Sequence, residues 1–105
     1  MLKLVAVWSP PKTEDRAAFE TAYANVHAPL ARALPSLISL DTILVSEGLE
    51  GVPADAYRFA IMTWPDKAAM ERDEQTPEWI ALRTDAGQMI ERFGVTLTSS
   101  VGYEG

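Results

Sequence analysis

Apolar residues recur along this chain in two rhythms: alternate positions in four short runs, and every third or fourth position in two longer ones. Leu2 to Trp8 is the first short run. Leu2, Leu4, Ala6 and Trp8 fall on one face of a strand and Val5 and Val7 on the other, so both faces are apolar and the strand is expected at the centre of a sheet. Ser9-Pro10-Pro11 closes it. A helix is predicted over 14–33, with Thr13 as its N-cap and Glu14 and Asp15 in the first turn, where the helix dipole favours acids. At about 100° per residue, Phe19, Tyr23, Val26, Leu30 and Leu34 share a sector roughly 80° wide, and His27 projects about 20° beyond it. Pro29 removes a backbone donor and disfavours helical geometry at Ala28. The helix is therefore expected to end or kink between Val26 and Ala28, leaving His27 near its C-terminus.

The second strand is predicted over 37–47, where Ser39, Asp41, Thr42 and Ser46 among Leu and Ile give the mixed character of an edge. A loop spans 48–55. The third strand, 56–64, carries Tyr57, Phe59 and Ile61 on one face and Arg58, Ala60, Met62 and Trp64 on the other, again apolar on both sides apart from Arg58. Pro65-Asp66 opens a short helix to about Asp73. Thr76-Pro77-Glu78 supplies an N-cap, a first-turn proline and a first-turn acid to a helix carrying Trp79, Leu82, Ala86, Met89, Ile90 and Phe93 at helical spacing, and Gly94 is placed to end it. A last strand is predicted over 95–101.

The order β-α-β-β-α-β is the split βαβ pattern of a ferredoxin-like α+β sandwich: a four-stranded antiparallel sheet with both helices on one face. The chain reads as a single domain, 1–105. In that topology strands one and three are central, and they are the two that are apolar on both faces. Two helices cover only one face. The other would expose Val5 and Val7 or Leu4 and Trp8, together with Met62 and Trp64 or Phe59 and Ile61. Several hundred Å² of contiguous apolar surface is unusual on a soluble monomer, so a two-fold homodimer packed sheet to sheet is expected.

Composition narrows the function. There is no cysteine among the 105 residues, which removes disulfides, thiol nucleophiles and thiolate metal sites. The net charge is −6 with nine scattered basic residues, which disfavours nucleic acid and anionic membrane surfaces as partners. The apolar opening is too short to span a bilayer and lacks a signal-peptide layout, so a cytoplasmic protein is expected.

His27, the only histidine, is the leading candidate for chemistry: an imidazole near neutrality can take a proton from a phenol or an activated carbon and return it. Tyr23, one turn away, could donate to an oxyanion or orient the ring. The competing reading has His27 bonded to a backbone carbonyl and merely shaping the core. Trp8, Trp64 and Trp79, with Met62, could line an aromatic pocket or simply pack the core. Arg58, the lone charge on a central strand, could anchor an anionic substrate, ride out at a strand end or pair with an acid such as Asp41. No carboxylates stand at metal-ligand spacing around His27, and neither a metal nor a cofactor is expected.

The run Phe19-x3-Tyr23-x3-His27-Ala-Pro-Leu30-Ala-x-x-Leu34-Pro35-x-Leu37 resembles the signature of the EthD family, and Trp64-Pro-Asp and Thr76-Pro-Glu-Trp79 resemble its second helical region. The resemblance implies a ferredoxin-like subunit that dimerises through its sheet into an eight-stranded barrel. It also implies kinship with cofactor-independent monooxygenases, lactone isomerases, polyketide cyclases and haem enzymes. On that basis the expected function is cofactor-free oxygenation, or proton-shifting isomerisation, of a small aromatic or lactone-type compound, with His27 as acid/base. A non-catalytic ligand-binding dimer and a haem-associated protein stand as alternatives. Two departures matter. Ser36 occupies the place of the usual glycine in the Leu-Pro-Gly-Leu turn, which argues against a left-handed residue there. The two-histidine arrangement of some isomerase relatives has only one histidine here to draw on.

Overall fold

A computed structural model describes residues 1–105. Strands β1 (Leu2–Trp8), β2 (Ser39–Leu44), β3 (Arg58–Trp64) and β4 (Leu97–Tyr103) form one antiparallel sheet in the order β2-β3-β1-β4. The two strands apolar on both faces thus take the centre and the polar-studded pair take the edges. The ladder sets β2 at Ser39–Leu44 and β4 two residues later than its predicted start. Backbone pairing nevertheless runs past the ends: Tyr57 N–H donates to the Trp8 carbonyl at 2.8 Å and Val45 N–H to the Tyr57 carbonyl at 2.8 Å.

Register decides which face the helices cover. Leu2, Leu4, Ala6 and Trp8 lie opposite Trp64, Met62, Ala60 and Arg58, and directly opposed residues share a face. Leu2, Trp8, Met62 and Trp64 are buried, so this is the helix-covered side. Val5, Val7, Ile61 and Phe59 point the other way, joined by Ile43 opposite Phe59.

The covering layer holds α1 (Arg16–Ala22) and α2 (Ala28–Arg32), joined by a five-residue π-helical turn (Tyr23–His27), then α3 (Lys67–Asp73) and α4 (Pro77–Phe93). Thr13 does not cap the first helix; it lies inside a 3₁₀ turn, Thr13–Asp15, whose preceding residue Lys12 makes no side-chain cap. In α4 the expected devices are present. The Thr76 hydroxyl accepts from Trp79 N–H at 3.2 Å, Pro77 opens the helix, and Gly94 at φ 64° ends it in the left-handed conformation that glycine adopts without a Cβ penalty. Asp66 caps α3 by accepting from Ala69 N–H at 2.8 Å.

The first helix neither ends nor breaks at Val26–Ala28. Ala22, His27 and Ala28 all keep right-handed helical dihedrals, and Ala28 N–H donates to the Tyr23 carbonyl, five residues back. In an uninterrupted α-helix the Pro29 ring would press on the Asn25 carbonyl, and Pro29 has no N–H to return. Widening the preceding turn to π geometry relieves that contact without ending the rod. The widened turn holds one extra residue, so everything beyond it is rotated. The buried set is therefore Phe19, Tyr23, His27, Ala28, Ala31 and Leu34, and Val26, placed in the apolar stripe by regular spacing, is 48% exposed. His27 takes the inward position, at 9% exposure.

The core divides in two. One cluster joins Trp8, Phe19, Tyr23, Ala28, Tyr57, Ala86, Met89, Phe93 and Val95; the other joins Leu2, Ala31, Leu34, Met62, Trp64, Ala69, Met70 and Leu82. The second is pinned by Asp73, which is 1% exposed. Its carboxylate accepts from Trp64 Nε1–H at 2.8 Å and from Ser36 N–H at 3.0 and 3.2 Å. Ser36 is not left-handed, and its turn is held from α3 instead.

The rotated register has a direct test. Val26→Lys is expected to change unfolding free energy by no more than about 0.5 kcal/mol in a denaturant titration, as for an ordinary surface site. A loss of about 2 kcal/mol or more would place Val26 in the core and remove the π turn from the description.

Candidate functional site

The seam between the two clusters encloses a cavity of about 80 Å³. Its walls are Trp8, Leu4 and Ala6 from β1, Ala60 and Met62 from β3, Tyr23, His27, Ala28 and Ala31 from the first helical rod, and Trp79, Leu82 and Ala86 from α4. Five of the residues singled out in the sequence, Trp8, Tyr23, His27, Met62 and Trp79, thus meet in one chamber. Two do not. Trp64 is 0% exposed, spends its indole N–H on Asp73 and belongs to the core. Arg58 lies outside the chamber's lining and is tied to Glu20, not to Asp41: its Nε donates at 3.0 Å and its Nη2 makes a second contact to the other carboxylate oxygen. Tyr57 Oη donates at 2.9 Å to Glu20 Oε2, the oxygen that accepts from Arg58 Nε. The guanidinium also sits 4.4 Å from the centroid of the Tyr23 ring, packing the outer side of that ring. Burial raises the pKa of Glu20, but the hydrogen bonds from Arg58 and Tyr57 outweigh it and hold the carboxyl below its usual range.

His27 has a partner that spacing alone did not reveal. Its Nδ1 lies 2.8 Å from Asp85 Oδ2 on α4, with both side chains largely shielded from solvent. The carboxylate accepts, so Nδ1 carries the ring proton and Nε2 its lone pair. Nε2 has no protein partner, and since no buried side-chain nitrogen or oxygen lacks one, Nε2 is reached by solvent. The same holds for the Tyr23 hydroxyl and the Trp8 indole N–H. The Trp8 ring stands edge-on to the imidazole at 5.2 Å between centroids, and Tyr23 lies 5.6 Å from it on another side. Burial is the largest influence on His27 and favours the neutral ring; Asp85 pulls the other way and loses, so the pKa falls below its ordinary value. With the helix continuing to Arg32, His27 is not at a helix terminus and gains no cation-favouring dipole. Burial likewise pushes the Tyr23 phenol up, keeping it a neutral donor.

A neutral imidazole oriented by a carboxylate, on a residue that lines an apolar chamber and with Nε2 unpartnered, can remove a proton from an acid bound within reach and stabilise the resulting imidazolium through Asp85. No group of three or more His, Cys, Asp or Glu side chains is arranged to hold a metal ion, and no helix is long and apolar enough to cross a membrane.

Fold and site together define a ferredoxin-like α+β protein with a histidine-bearing chamber between sheet and helices. The EthD domain matches residues 11–92, and the chain belongs to the EthD family. An EthD family protein from Bacillus halodurans shares 28% identity at a TM-score of 0.88, over 100% of this chain and 99% of that one. HapK from Hahella chejuensis is similar at 20% identity and TM-score 0.70, over 100% and 93% of the two chains. SnoaB from Streptomyces nogalater, a cofactor-independent oxygenase, is similar at 16% identity and TM-score 0.69, over 98% and 91%. These last two likenesses speak to the fold. No curated protein matches the chain.

The dyad sets a pH signature. The folded-state pKa of His27 is depressed, so between that value and the ordinary value of about 6.5 the unfolded chain binds more protons and stability falls as pH drops. Asp85→Asn removes the one influence that raises the His27 pKa. An NMR titration of the ring is therefore expected to show the midpoint moving further down in the variant. A midpoint that stays put or rises would uncouple Asp85 from the ring.

Proposed function

We propose that this EthD protein is a small-molecule enzyme in which His27 is the acid/base, Asp85 orients and stabilises it, and Tyr23 donates to oxygen on the substrate. The observation that carries this reading is a chamber-lining histidine whose Nδ1 is held by Asp85 and whose Nε2 has no protein partner. A histidine sealed in the core would have both nitrogens satisfied inside the protein, whereas here Nε2 stays open to solvent and to a ligand. The chamber is lined mainly by aliphatic and aromatic side chains, which suits an apolar or aromatic ligand. With the proton on Nε2, the bound carbanion or enolate either regains it at another carbon, which is isomerisation, or reacts with dioxygen. In the latter case one oxygen enters the product and the other leaves as water with two substrate hydrogens. The second route is the one that SnoaB, a protein of like fold, is named for, and it enters here as an analogy of fold.

The working form proposed is a two-fold dimer packed through the open sheet face. Val5, Val7, Ile61 and Phe59 lie half-exposed there and Ile43 is 49% exposed, a contiguous apolar surface of the kind a second copy covers.

The chemistry is read by solvent deuterium entering hydroxyarenes and unsaturated lactones, followed by NMR, with dioxygen uptake recorded in parallel. His27→Ala is expected to lower the rate by about 10²- to 10⁴-fold with little change in KM. Equal rates in variant and wild type, or no exchange and no uptake with any compound of the panel, would defeat the enzymatic reading. For assembly, light scattering at micromolar concentration is expected to give twice the chain mass, and Phe59→Asp to give the single-chain mass. A wild-type monomer would end the dimer proposal.

A further inference from the structure

The chamber is not uniformly apolar: thirteen of its sixteen lining residues are hydrophobic, and the exceptions are His27, Arg83 and Ser99. Arg83 and Ser99 also line a groove of about 410 Å³ that adjoins the chamber between α4 and β4, together with Ala86, Gly87, Ile90 and Leu97. The groove exists because β4 is poorly covered: Leu97 is half-buried and the rest of the strand is exposed. On α4, Arg83, Ala86, Gly87 and Ile90 recur at i, i+3, i+4 and i+7 and form the flank above β4. Asp85 lies about 160° around the helix from Arg83, on the flank that meets the π turn. One helix therefore supports the base at one wall and presents a cation at the mouth.

Arg83 is the only permanently charged residue lining the chamber, and it takes part in none of the chain's ion pairs. The positions where a helical partner would stand, Trp79, Ile80, Ala86 and Gly87, carry no carboxylate. Arg58, by contrast, is committed to Glu20. On a chain of net charge −6, which repels anions over most of its surface, an unpaired guanidinium beside a hydroxyl at an apolar mouth is a local exception. Size points the same way. The chamber is about half the volume of the roughly 150 Å³ cavity that accommodates benzene, so a ring-sized ligand must extend into the groove and bring part of itself beside Arg83 and Ser99.

We propose that the substrate is a monocarboxylate on a small apolar body. The carboxylate pairs with the Arg83 guanidinium and accepts from the Ser99 hydroxyl at the mouth, while the apolar end enters the chamber toward His27 Nε2. This rests on the chamber being the ligand site, as put forward above. Arg83 sets which compounds bind and in which direction they enter, and it takes no part in moving the proton.

The probes are benzoate and its neutral isostere benzamide, titrated separately into wild-type protein and Arg83→Gln, with affinity and His27 ring shifts both read by NMR. Arg83 is exposed, so the variant is expected to fold, and its melting temperature checks this. Benzoate is expected to bind more tightly than benzamide and to move the His27 signals. In Arg83→Gln its Kd rises about 10-fold, while that of benzamide changes by less than about twofold. Arg83→Lys recovers only part of the loss, because an ammonium cannot offer a bidentate fork. If both probes shift His27 but neither depends on Arg83, the anion proposal is overturned and the chamber stands as the ligand site. Benzoate binding that leaves His27 unmoved also overturns it, because the anion then sits elsewhere. If benzoate, benzamide and toluene all leave His27 unmoved, the chamber is not a ligand site and both proposals fall together.

Discussion

One extra residue in one helical turn decides which side chains this protein turns toward its chamber. Pro29 cannot be accommodated by an α-helix passing through Asn25 without a clash, and the chain answers by widening the turn Tyr23–His27 while keeping the rod continuous. The price of that accommodation is a rotation of the helical face, and the rotation turns His27 inward and Val26 outward. The imidazole then meets Asp85 from α4 and the Trp8 indole from β1, three elements distant in sequence. Remove the extra residue from the account and the histidine would sit beside the apolar stripe, with valine in the chamber wall.

The charges around the chamber are divided by what they touch. Glu20 and Arg58 neutralise one another beside Tyr57, and the Arg58 guanidinium stacks on Tyr23, so the pair braces an aromatic wall without entering the chamber. Asp73 serves the other half of the core by holding the Leu34-Pro35-Ser36 turn and Trp64 at once. A carboxylate at 1% exposure is tolerated because its oxygens are met by donors that would themselves be costly to bury unpaired. Asp85 is the acid spent on a residue of the chamber wall itself: it holds Nδ1 of His27 and leaves Nε2 without a protein partner.

Much of the fold was legible because its signals are repeated. Strands apolar on both faces announced the sheet centre, and Thr76, Pro77 and Gly94 marked α4 through local chemistry that tertiary contacts do not override. His27 and Tyr23 were legible as candidates, and Trp8, Met62 and Trp79 as lining residues. The π turn was not legible, because the proline that signals it signals a helix end equally well. Asp85 carries a fainter signal: Leu82, Asp85, Ala86 and Met89 stand at i, i+3, i+4 and i+7, and a lone acid within an apolar stripe needs a partner, but the spacing does not say which. Trp64 and Arg58 were drawn toward the site by residue type alone; the structure gives each a partner elsewhere, Asp73 for one and Glu20 for the other. Arg83 reads as an ordinary surface residue until β4 is seen to leave its flank uncovered.

The division of the core into two separately packed clusters bears on how such a protein can change. Each cluster is closed by its own aromatic anchors, Trp8 with Phe19 in one and Trp64 in the other, and neither needs the chamber to be filled. The side chains along the seam belong to these clusters, Tyr23 and Ala86 to one and Met62 and Leu82 to the other, so each has one side packed and one side facing the gap. A lineage keeping both anchors could resculpt the gap residue by residue while the scaffold on either side stays shut.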